Sequence, residues 1–309
     1  MAVAVARRRA DPVSGWRISH RLAFAACWAA GLALCAIAVA IIGYMGYKGA
    51  QYLRPQLLTQ RPQPGLDQHS IGGFLDPLLG TAMLTLIGIA LATPVAVATA
   101  LWIVEYGRPA GLARVVESAI EVVAGTPDIV IAIFGLAIFQ LPLLAPLSFT
   151  ASGGGVFGRS FLAAGAMMSL IALPPVYGST REGLLAIPAR LREASWALGK
   201  TKVCTIREVL LPSVRRNVAT GMTLGMGRIV GDTAVVVILL GASLQIDPEG
   251  DVPGLNVLRG TGSTLTSYVY GTSPAGEGNA PQKAYAAAVV LLALVLALNG
   301  LVGLIGRRS

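Results

Sequence analysis

Six long apolar stretches, separated by polar segments, constrain the fold of this 309-residue chain more than any other feature. A helix needs about 20 apolar residues to cross the hydrocarbon core of a bilayer. The first stretch is longer than the core of a signal peptide, so we interpret it as an uncleaved span. The six predicted spans are 22–47, 77–104, 116–141, 161–180, 217–242 and 284–306.

The composition agrees with lipid as the solvent. Charged residues make up 13% of the chain and hydrophobic residues 54%, whereas soluble proteins carry about 25% charged residues. The net charge of +9 would suggest nucleic acid as a partner for a soluble chain. Here the basic residues lie between apolar runs, so we expect contact with membrane lipid and none with nucleic acid. The three cysteines offer no pair at metal-ligand spacing, and we expect no metal site.

Lysine and arginine are distributed unevenly between the loops, which predicts the orientation. If the N-terminus is cytoplasmic, 17 basic residues lie on that side, six lie outside, and Arg228 lies within a span. We therefore predict that both termini are cytoplasmic. The predicted organisation is an N-terminal tail (1–21), a first helix with an outer loop (22–74) and a core domain (75–306).

The third stretch is the weakest of the six, because acidic residues interrupt it. The segment Gly125-Thr126-Pro127 also predicts a break in its helix. A broken helix at membrane depth is tolerated only where protein or a cavity covers it. We interpret Asp128 mainly as a cap for the helix after the break, with the lining of a path as the alternative.

The segment between the fourth and fifth stretches, about 181–216, is long, basic and patterned. Pro188 suits the first turn of a short helix, and Gly199 suits the left-handed residue that ends it. A second short helix is predicted from about 202 to 210, ending at Pro212. Such a helix pair, exposed at the cytoplasmic face, is typical of a docking surface.

The same segment contains a spaced motif that is known from one family. Glu193-Ala194-Ser195, Gly199, Val209 and Leu211-Pro212 have the spacing of the EAA loop of ABC-importer permeases, with Ser195 and Val209 in place of alanine and isoleucine. The resemblance implies a coupling loop over 187–212 that binds a separate ATPase subunit. The coupling residues it implies are Glu193, Ala194, Ser195, Gly199, Leu211 and Pro212.

A relaxed phosphate-binding loop pattern overlaps this motif from Ala194 to Thr201. Such a loop needs a preceding strand and a following helix, and the predicted context is a helix followed by a turn. We therefore expect no cofactor in this chain and ATP with magnesium on a partner ATPase. The chain itself would then not be an enzyme.

A second resemblance covers about 75–245. It rests on the segments Gly125-Thr126-Pro127, Leu173-Pro174-Pro175 and Gly227-Arg228-Ile229-Val230-Gly231-Asp232-Thr233-Ala234. The last is similar to an Ala-Arg-x-x-Gly-Glu-Thr-Ala stretch of the PstA-type permeases of phosphate importers. The resemblance implies an all-α membrane protein with six transmembrane helices, in the type I ABC importer permease (MetI-like) fold, with a cytoplasmic coupling helix.

Arg228 and Asp232 are charges within an apolar stretch, where a charge costs about 2.5–3.5 kcal/mol to insert. Their i,i+4 spacing predicts that both lie on one helix face. An arginine fork binds two phosphate oxygens at once. Asp232 can accept a hydrogen bond from a protonated phosphate, which sulfate cannot donate. The alternative is an ion pair between the two that only holds the bundle together.

Four glycines surround Arg228 at spacings that let helices approach closely. Either an interface with a second permease or ordinary packing within the chain would explain them. They are Gly221, Gly225, Gly227 and Gly231.

The PstA-type resemblance implies another substrate arginine at the position of Ser179, whereas this chain has Arg181 two residues later. Two residues turn a helix by about 200°, so Arg181 would face elsewhere unless its side chain reaches back. A topological role at the inner face is its alternative, with the missing charge supplied by a partner permease. The predicted substrate-path residues are Arg228, Asp232, Arg181, Thr233 and Asp128.

Together the resemblances imply a permease of an ATP-driven importer of inorganic phosphate in a bacterial inner (plasma) membrane. Its partners would be a second permease in a heterodimer, an ATPase dimer and an extracytoplasmic phosphate-binding protein. One alternative is an ABC importer for another oxyanion or polar solute, because function depends on the site rather than the fold. A further alternative is a secondary transporter or channel that needs no ATPase.

Overall fold

The computed structural model describes most of the chain, and every regular element in the described residues is helical. By their contacts, residues 1–48 and 49–309 form two units. Residues 1–17 of the predicted tail (1–21) lie outside the described residues. The predicted organisation into tail, first helix with outer loop, and core domain stays a prediction. The described residues are 18–63, 72–148, 157–241, 243–246, 255–274, 276 and 280–307.

Two π-helical turns, Trp102–Tyr106 and Ile206–Leu210, interrupt the α-helical runs. The α-helices, in chain order, are α1 (Ile18–Tyr52), α2 (Pro55–Thr59), α3 (Leu75–Leu101), α4 (Ala110–Gly125), α5 (Asp128–Phe139), α6 (Phe161–Ala186), α7 (Ala189–Ala197), α8 (Lys202–Thr205), α9 (Leu211–Gly231), α10 (Ala234–Leu239), α11 (Leu255–Arg259), α12 (Leu265–Thr272) and α13 (Pro281–Arg307).

The first unit consists, in its described part, of α1 up to Lys48. No residue in the most apolar window of this helix is buried. Its large exposed side chains include Leu22, Trp28 and Ile41. A helix that is apolar on all sides suits a lipid environment, as predicted for the first span.

Four helices within the described residues are long and apolar enough to cross a membrane: α1, α3 with its π-helical turn, α6 and α13. The pair α4 and α5 would form a fifth span, bent by 108° at the predicted break. The remaining stretch, 217–242, is divided into α9 and α10. The number of six spans therefore stays a prediction.

The core of the second unit lies between α3, α6 and α9. Two of the four glycines on α9 permit this packing, since a Cβ atom on Gly221 would lie 2.8 Å from the Cα of Val176 in α6. A Cβ on Gly225 would lie 3.2 Å from the Cβ of Ala172. A Cβ on Gly227 or on Gly231 would have no described atom within 4 Å. Close packing within the chain thus explains only the first two glycines.

The described part of the loop between α10 and α13 folds against α3. The Thr81 hydroxyl accepts a hydrogen bond from the Leu265 amide at 2.8 Å. The buried Asp76 carboxylate accepts from the Ile246 amide at 3.3 Å and lies 3.7 Å from Arg61. These contacts place α12 beside the N-terminal end of α3, and the Thr266 hydroxyl donates to the Asp232 carbonyl at 3.4 Å, at the break between α9 and α10.

One prediction for the segment 181–216 is wrong. The second short helix does not end at Pro212, because the chain stays helical from α8 through the π-helical turn into α9. Pro212 lies in the first turn of α9. Proline has no N–H, so the continuous helical run lacks one backbone hydrogen bond at this position, directly after the π-helical turn.

Candidate functional site

A sharp elbow joins α4 to α5. The Thr126 hydroxyl donates to the Val122 carbonyl at 2.7 Å, which closes the end of α4. The Pro127 carbonyl then accepts from the Val130 and Ile131 amides at 2.9 and 3.3 Å. Asp128 is the first residue of α5, and no side chain caps this helix. The predicted capping role of Asp128 is therefore wrong, because its carboxylate turns toward another helix.

That other helix is α9. Nη2 of Arg228 donates to Oδ1 of Asp128 at 3.1 Å. The side chains are 39% and 35% exposed, respectively, so the ion pair is accessible from outside the packed core. It connects the elbow to α9 across 100 residues of sequence.

The i,i+4 spacing predicted that Arg228 and Asp232 lie on one helix face, and this prediction is wrong. Helix α9 ends at Gly231, and Asp232 has extended backbone angles, φ −82° and ψ 126°. Because Asp232 lies after the end of α9, the direction of its side chain does not follow the helical repeat of α9. The alternative of a structural ion pair between these two residues is wrong as well, because Arg228 pairs with Asp128.

Asp232 holds the start of α10. Its Oδ1 accepts hydrogen bonds from the Ala234 amide at 2.7 Å and the Val235 amide at 3.2 Å. Its Oδ2 is buried and has no hydrogen-bond partner among the described residues. A buried acceptor without a partner is costly, and a hydrogen-bond donor that reached this oxygen would remove that cost. Thr233 is half-buried between Asp232 and the first residue of α10.

Arg181 has its contacts elsewhere. Its Nη2 lies 3.1 Å from Oε1 of Glu117, so it joins α6 to α4. The hydroxyl of Ser179 donates to the Asn217 carbonyl of α9 at 2.6 Å. Position 179 therefore faces α9 and position 181 faces α4, as the helical rotation predicts. The described contacts do not bring Arg181 to Arg228.

The segment that the sequence predicts to be cytoplasmic folds as a hairpin of α7 and α8. Gly199 has φ +74°, the left-handed conformation expected of the residue that ends α7. The Ser195 and Thr205 hydroxyls, both buried, form a hydrogen bond of 2.9 Å between the two helices. Glu193 and Ala194 are exposed on α7. Ser195, which stands where the motif has alanine, thus forms a hydrogen bond that joins the two helices of the hairpin.

The hairpin also exposes large apolar side chains that the sequence analysis did not single out. Trp196 is 49% exposed, Leu198 is 79% exposed and Val203 is 67% exposed. Exposed apolar side chains on a polar loop indicate a protein-binding surface. The feature of the sequence that could have indicated this surface is Trp196 in the basic segment 181–216.

Two basic side chains attach the hairpin to the end of α3. Arg192 donates to the Glu105 carboxylate at 2.9 Å and to the Ile187 and Leu184 carbonyls at 2.9 and 3.0 Å. The Lys202 ammonium donates to the Glu105 carbonyl and lies 4.2 Å from the Tyr106 ring centroid. A movement of the hairpin would therefore be transmitted directly to α3. The sequence analysis missed this connection, because these residues lie far apart in the chain.

A polar cluster lies on the exposed side of the hairpin. The Lys200 ammonium donates to the Glu208 carboxylate, and this hydrogen bond lowers the pKa of Glu208. Hydrogen bonding to Glu208 also raises the pKa of Lys200 and of the Cys204 thiol. The described residues contain no group of three potential metal ligands, here or elsewhere.

Apolar helices with a polar elbow and an attached helical hairpin fit a membrane permease. The comparison with known protein families agrees. Residues 85–309 match the family described as "Binding-protein-dependent transport system inner membrane component", and the chain belongs to this family.

The curated relatives include phosphate transport permeases of two kinds, named PstA and PstC. The chain is 31% identical to phosphate transport system permease protein PstA 1 of Mycobacterium tuberculosis over 234 residues, which cover 76% of this chain and 70% of the relative. It is 33% identical to the PstC protein of Xylella fastidiosa over 198 residues, 60% of this chain. The second match spans 61% of the relative's length, less than two thirds.

Solved structures with a similar fold include two ABC transporters. The methionine transporter MetNI, in an inward-facing conformation, has a TM-score of 0.55 at 20% identity and covers 76% of this chain and 94% of its own. A bacterial alginate transporter has a TM-score of 0.62 at 15% identity and covers 95% of this chain and 98% of its own. At these identities the likeness shows the fold, which is that of ABC importer permeases as predicted.

Proposed function

We propose that this chain is a transmembrane permease subunit of an ATP-driven importer of inorganic phosphate. It forms the translocation path with a second permease, as a heterodimer. An ATPase dimer binds the cytoplasmic hairpin, and an extracytoplasmic phosphate-binding protein delivers the substrate. Both termini lie in the cytoplasm.

The observation that carries the proposal is the position of Arg228. It is a charge within the predicted membrane segment 217–242, it is accessible, and it lies three residues before the end of α9 at Gly231. A charge at such a position is a functional-site hypothesis by default. The phosphate transport names of the curated relatives support this choice of anion.

Two kinds of group in the site suit a protonated phosphate. The Arg228 guanidinium donates to phosphate oxygens. The free Oδ2 of Asp232 accepts the hydrogen that a protonated phosphate carries and sulfate lacks. A second cation is needed for tight binding, and we assign it to the partner permease because the contacts of Arg181 lie on α4.

Transport follows alternating access in this proposal. ATP with magnesium binds to and is hydrolysed by the partner ATPase, which moves the hairpin through the exposed Trp196 and Leu198. Arg192 and Lys202 carry that movement to the end of α3. Because α3 packs against α6 and α9, the movement reaches the segment that carries Arg228.

The test is ATP-dependent uptake of labelled phosphate by vesicles that contain this chain with its copurifying ATPase. Sulfate serves as the competitor. Arg228→Ala should abolish uptake while the complex still assembles. Arg216→Ala is the matched control, since it removes an exposed arginine from the same helix outside the proposed path.

Other outcomes separate the alternatives. If an assembled, ATP-hydrolysing complex moved no phosphate, the substrate would be another oxyanion or polar solute. Uptake that continued without ATP and followed an ion gradient would instead indicate a secondary transporter or channel.

A further inference from the structure

The ion pair between Arg228 and Asp128 differs from the Arg192–Glu105 pair and is similar to the Arg181–Glu117 pair, whose side chains are 40% and 32% exposed. Arg192 donates through three nitrogens to Glu105 and two carbonyls, and its side chain is 17% exposed. Arg228 has one hydrogen bond, from Nη2 to a single carboxylate oxygen, and is 39% exposed. Arg192 is thus fixed, whereas Arg228 is held weakly and can exchange its partner.

The charges around Arg228 make an empty site unattractive to anions. Asp128 neutralises Arg228 directly, and Asp232 adds a second carboxylate at the end of the same helix. An anion that approached this arrangement would meet no uncompensated positive charge among the described contacts. Binding to Arg228 therefore requires that Asp128 leave it.

The elbow offers Asp128 a second favourable position. Asp128 is the first residue of the 12-residue helix α5, whose N-terminus has no side-chain cap. The Val130 and Ile131 amides already donate to the Pro127 carbonyl, but the helix dipole still favours a carboxylate at this end of α5. A small side-chain rotation can therefore exchange the guanidinium for the helix N-terminus without leaving the carboxylate unsolvated.

We propose that Asp128 is a displaceable counter-ion, which occupies Arg228 in the empty site and is replaced there by the incoming anion. The exchange also has a mechanical consequence. The ion pair fastens the α4–α5 elbow to α9, so its release lets the two move apart only when an anion is bound. This inference deepens the proposed function and rests on it, since it assumes that Arg228 binds the transported anion.

Competition of this kind makes an unusual prediction, because removing a charged residue of the site should improve binding. Asp128→Asn removes the competing charge while keeping the side-chain shape. An accessible ion pair is worth up to about 1 kcal/mol, so the KM for phosphate should fall by about fivefold. The inhibition constant of sulfate should fall by a similar factor, because Asp128 competes with any anion. A merely structural role of Asp128 would leave both constants unchanged or raise them.

The experiment uses the assembled importer in proteoliposomes and measures uptake of labelled phosphate over a range of concentrations. Glu121→Gln is the matched control, since it neutralises an exposed carboxylate of the same bent helix pair. Its KM should stay at the parent value. Thermal unfolding of each purified complex checks that the variants assemble equally well.

A double-mutant cycle adds a readout that does not depend on transport. Asp128→Asn, Arg228→Gln and the double variant should show non-additive melting temperatures without ligand and additive ones in saturating phosphate. Normal parent uptake with an unchanged or raised KM in Asp128→Asn would overturn the counter-ion role alone. Failure of the parent to take up phosphate would overturn the proposed function and this inference with it.

Discussion

Asp232 shows how two oxygens of one carboxylate can have separate tasks. Oδ1 binds the amides that begin α10, and Oδ2 has no partner in the described structure. Asparagine can reproduce the first interaction through its carbonyl oxygen, but its NH₂ group replaces the second acceptor by a donor. A single substitution therefore separates the structural role from selectivity.

We expect Asp232→Asn to assemble normally and to lose discrimination between phosphate and sulfate. The loss of a hydrogen bond to a charged acceptor should reduce the preference for phosphate about tenfold, measured as the ratio of KM to the sulfate inhibition constant. Asp232→Ala is the comparison, because it also removes the cap and should destabilise the complex by about 1 kcal/mol. Unchanged selectivity in Asp232→Asn would exclude a role of Oδ2 in substrate choice.

The Arg192–Glu105 pair gives a second prediction for single residues. Its side chains are only 17% and 7% exposed, so removal of one partner leaves the other charge buried. Arg192→Gln should cost about 3 kcal/mol of stability and reduce uptake more than ATP hydrolysis. Adding Glu105→Gln should restore part of the stability.

The control for this pair is Arg190→Gln, which changes an exposed arginine two residues away on the same helix. It should leave both uptake and stability near the parent values. Equal losses of uptake and hydrolysis in Arg192→Gln would argue against a role in transmitting movement.

Sequence reasoning at this scale found the charged residues but not all of their partners. Arg228, Asp232 and Asp128 stood out because charges are costly within apolar stretches. The pairing was wrong because the spacing rule assumes a continuous helix, and α9 ends one residue before Asp232. The Arg192–Glu105 pair was missed because 87 residues separate its members, and only the folded chain brings them together.

Among the elements, α9 packs against α6 through a face on which Gly221 leaves no room for a side chain. A Cβ atom on Gly221 would lie 2.8 Å from a backbone carbon of α6, and the backbone cannot give way easily. Gly227 lies six residues along the same helix, with no described atom within 4 Å of such a Cβ. The two positions form a matched pair for testing helix packing.

Gly221→Ala should lower stability by about 1–3 kcal/mol, as overpacked sites do. Gly227→Ala should be neutral or slightly stabilising in the isolated chain, because alanine favours a helix. Thermal unfolding in detergent measures both. If Gly227→Ala destabilised only the complex with the second permease, Gly227 would lie in the interface between permeases.

The helices themselves were largely predictable. The apolar stretches marked α1, α3, α6 and α13, and Thr126-Pro127 marked the elbow. The end of a helix at Pro212 was predicted wrongly, because a proline inside a helical run with a π-helical turn looks the same in sequence as a proline that ends a helix. No proline lies near Asp232 in the sequence, so the end of α9 at Gly231 was not predicted.

At the scale of the whole molecule, the orientation in the membrane can be tested through a native cysteine. Cys204 lies on the hairpin, and hydrogen bonding to Glu208 raises the pKa of its thiol. In a Cys27→Ala, Cys35→Ala background, an impermeant maleimide should label Cys204 in inverted vesicles and not in right-side-out vesicles. Labelling of right-side-out vesicles alone would reverse the proposed orientation.

The pH dependence of that labelling follows from the raised pKa. The thiolate is the reactive form, so its fraction at neutral pH is smaller than for an ordinary cysteine, and the rate should rise until the pH exceeds the raised pKa. Glu208→Gln should lower this pKa and speed labelling at neutral pH. An identical pH profile in both proteins would show that Glu208 does not control the thiol.

The order of the helices along the chain has a consequence for biogenesis. Helix α9 carries Arg215, Arg216 and Arg228, which make it a poor segment for release into lipid on its own. One packing partner of α9, α13, follows it in the sequence, whereas α3, α6 and Asp128 at the elbow precede it. They have therefore left the ribosome before α9 does. When α9 is inserted, Arg228 can therefore pair at once with a carboxylate that is already in place.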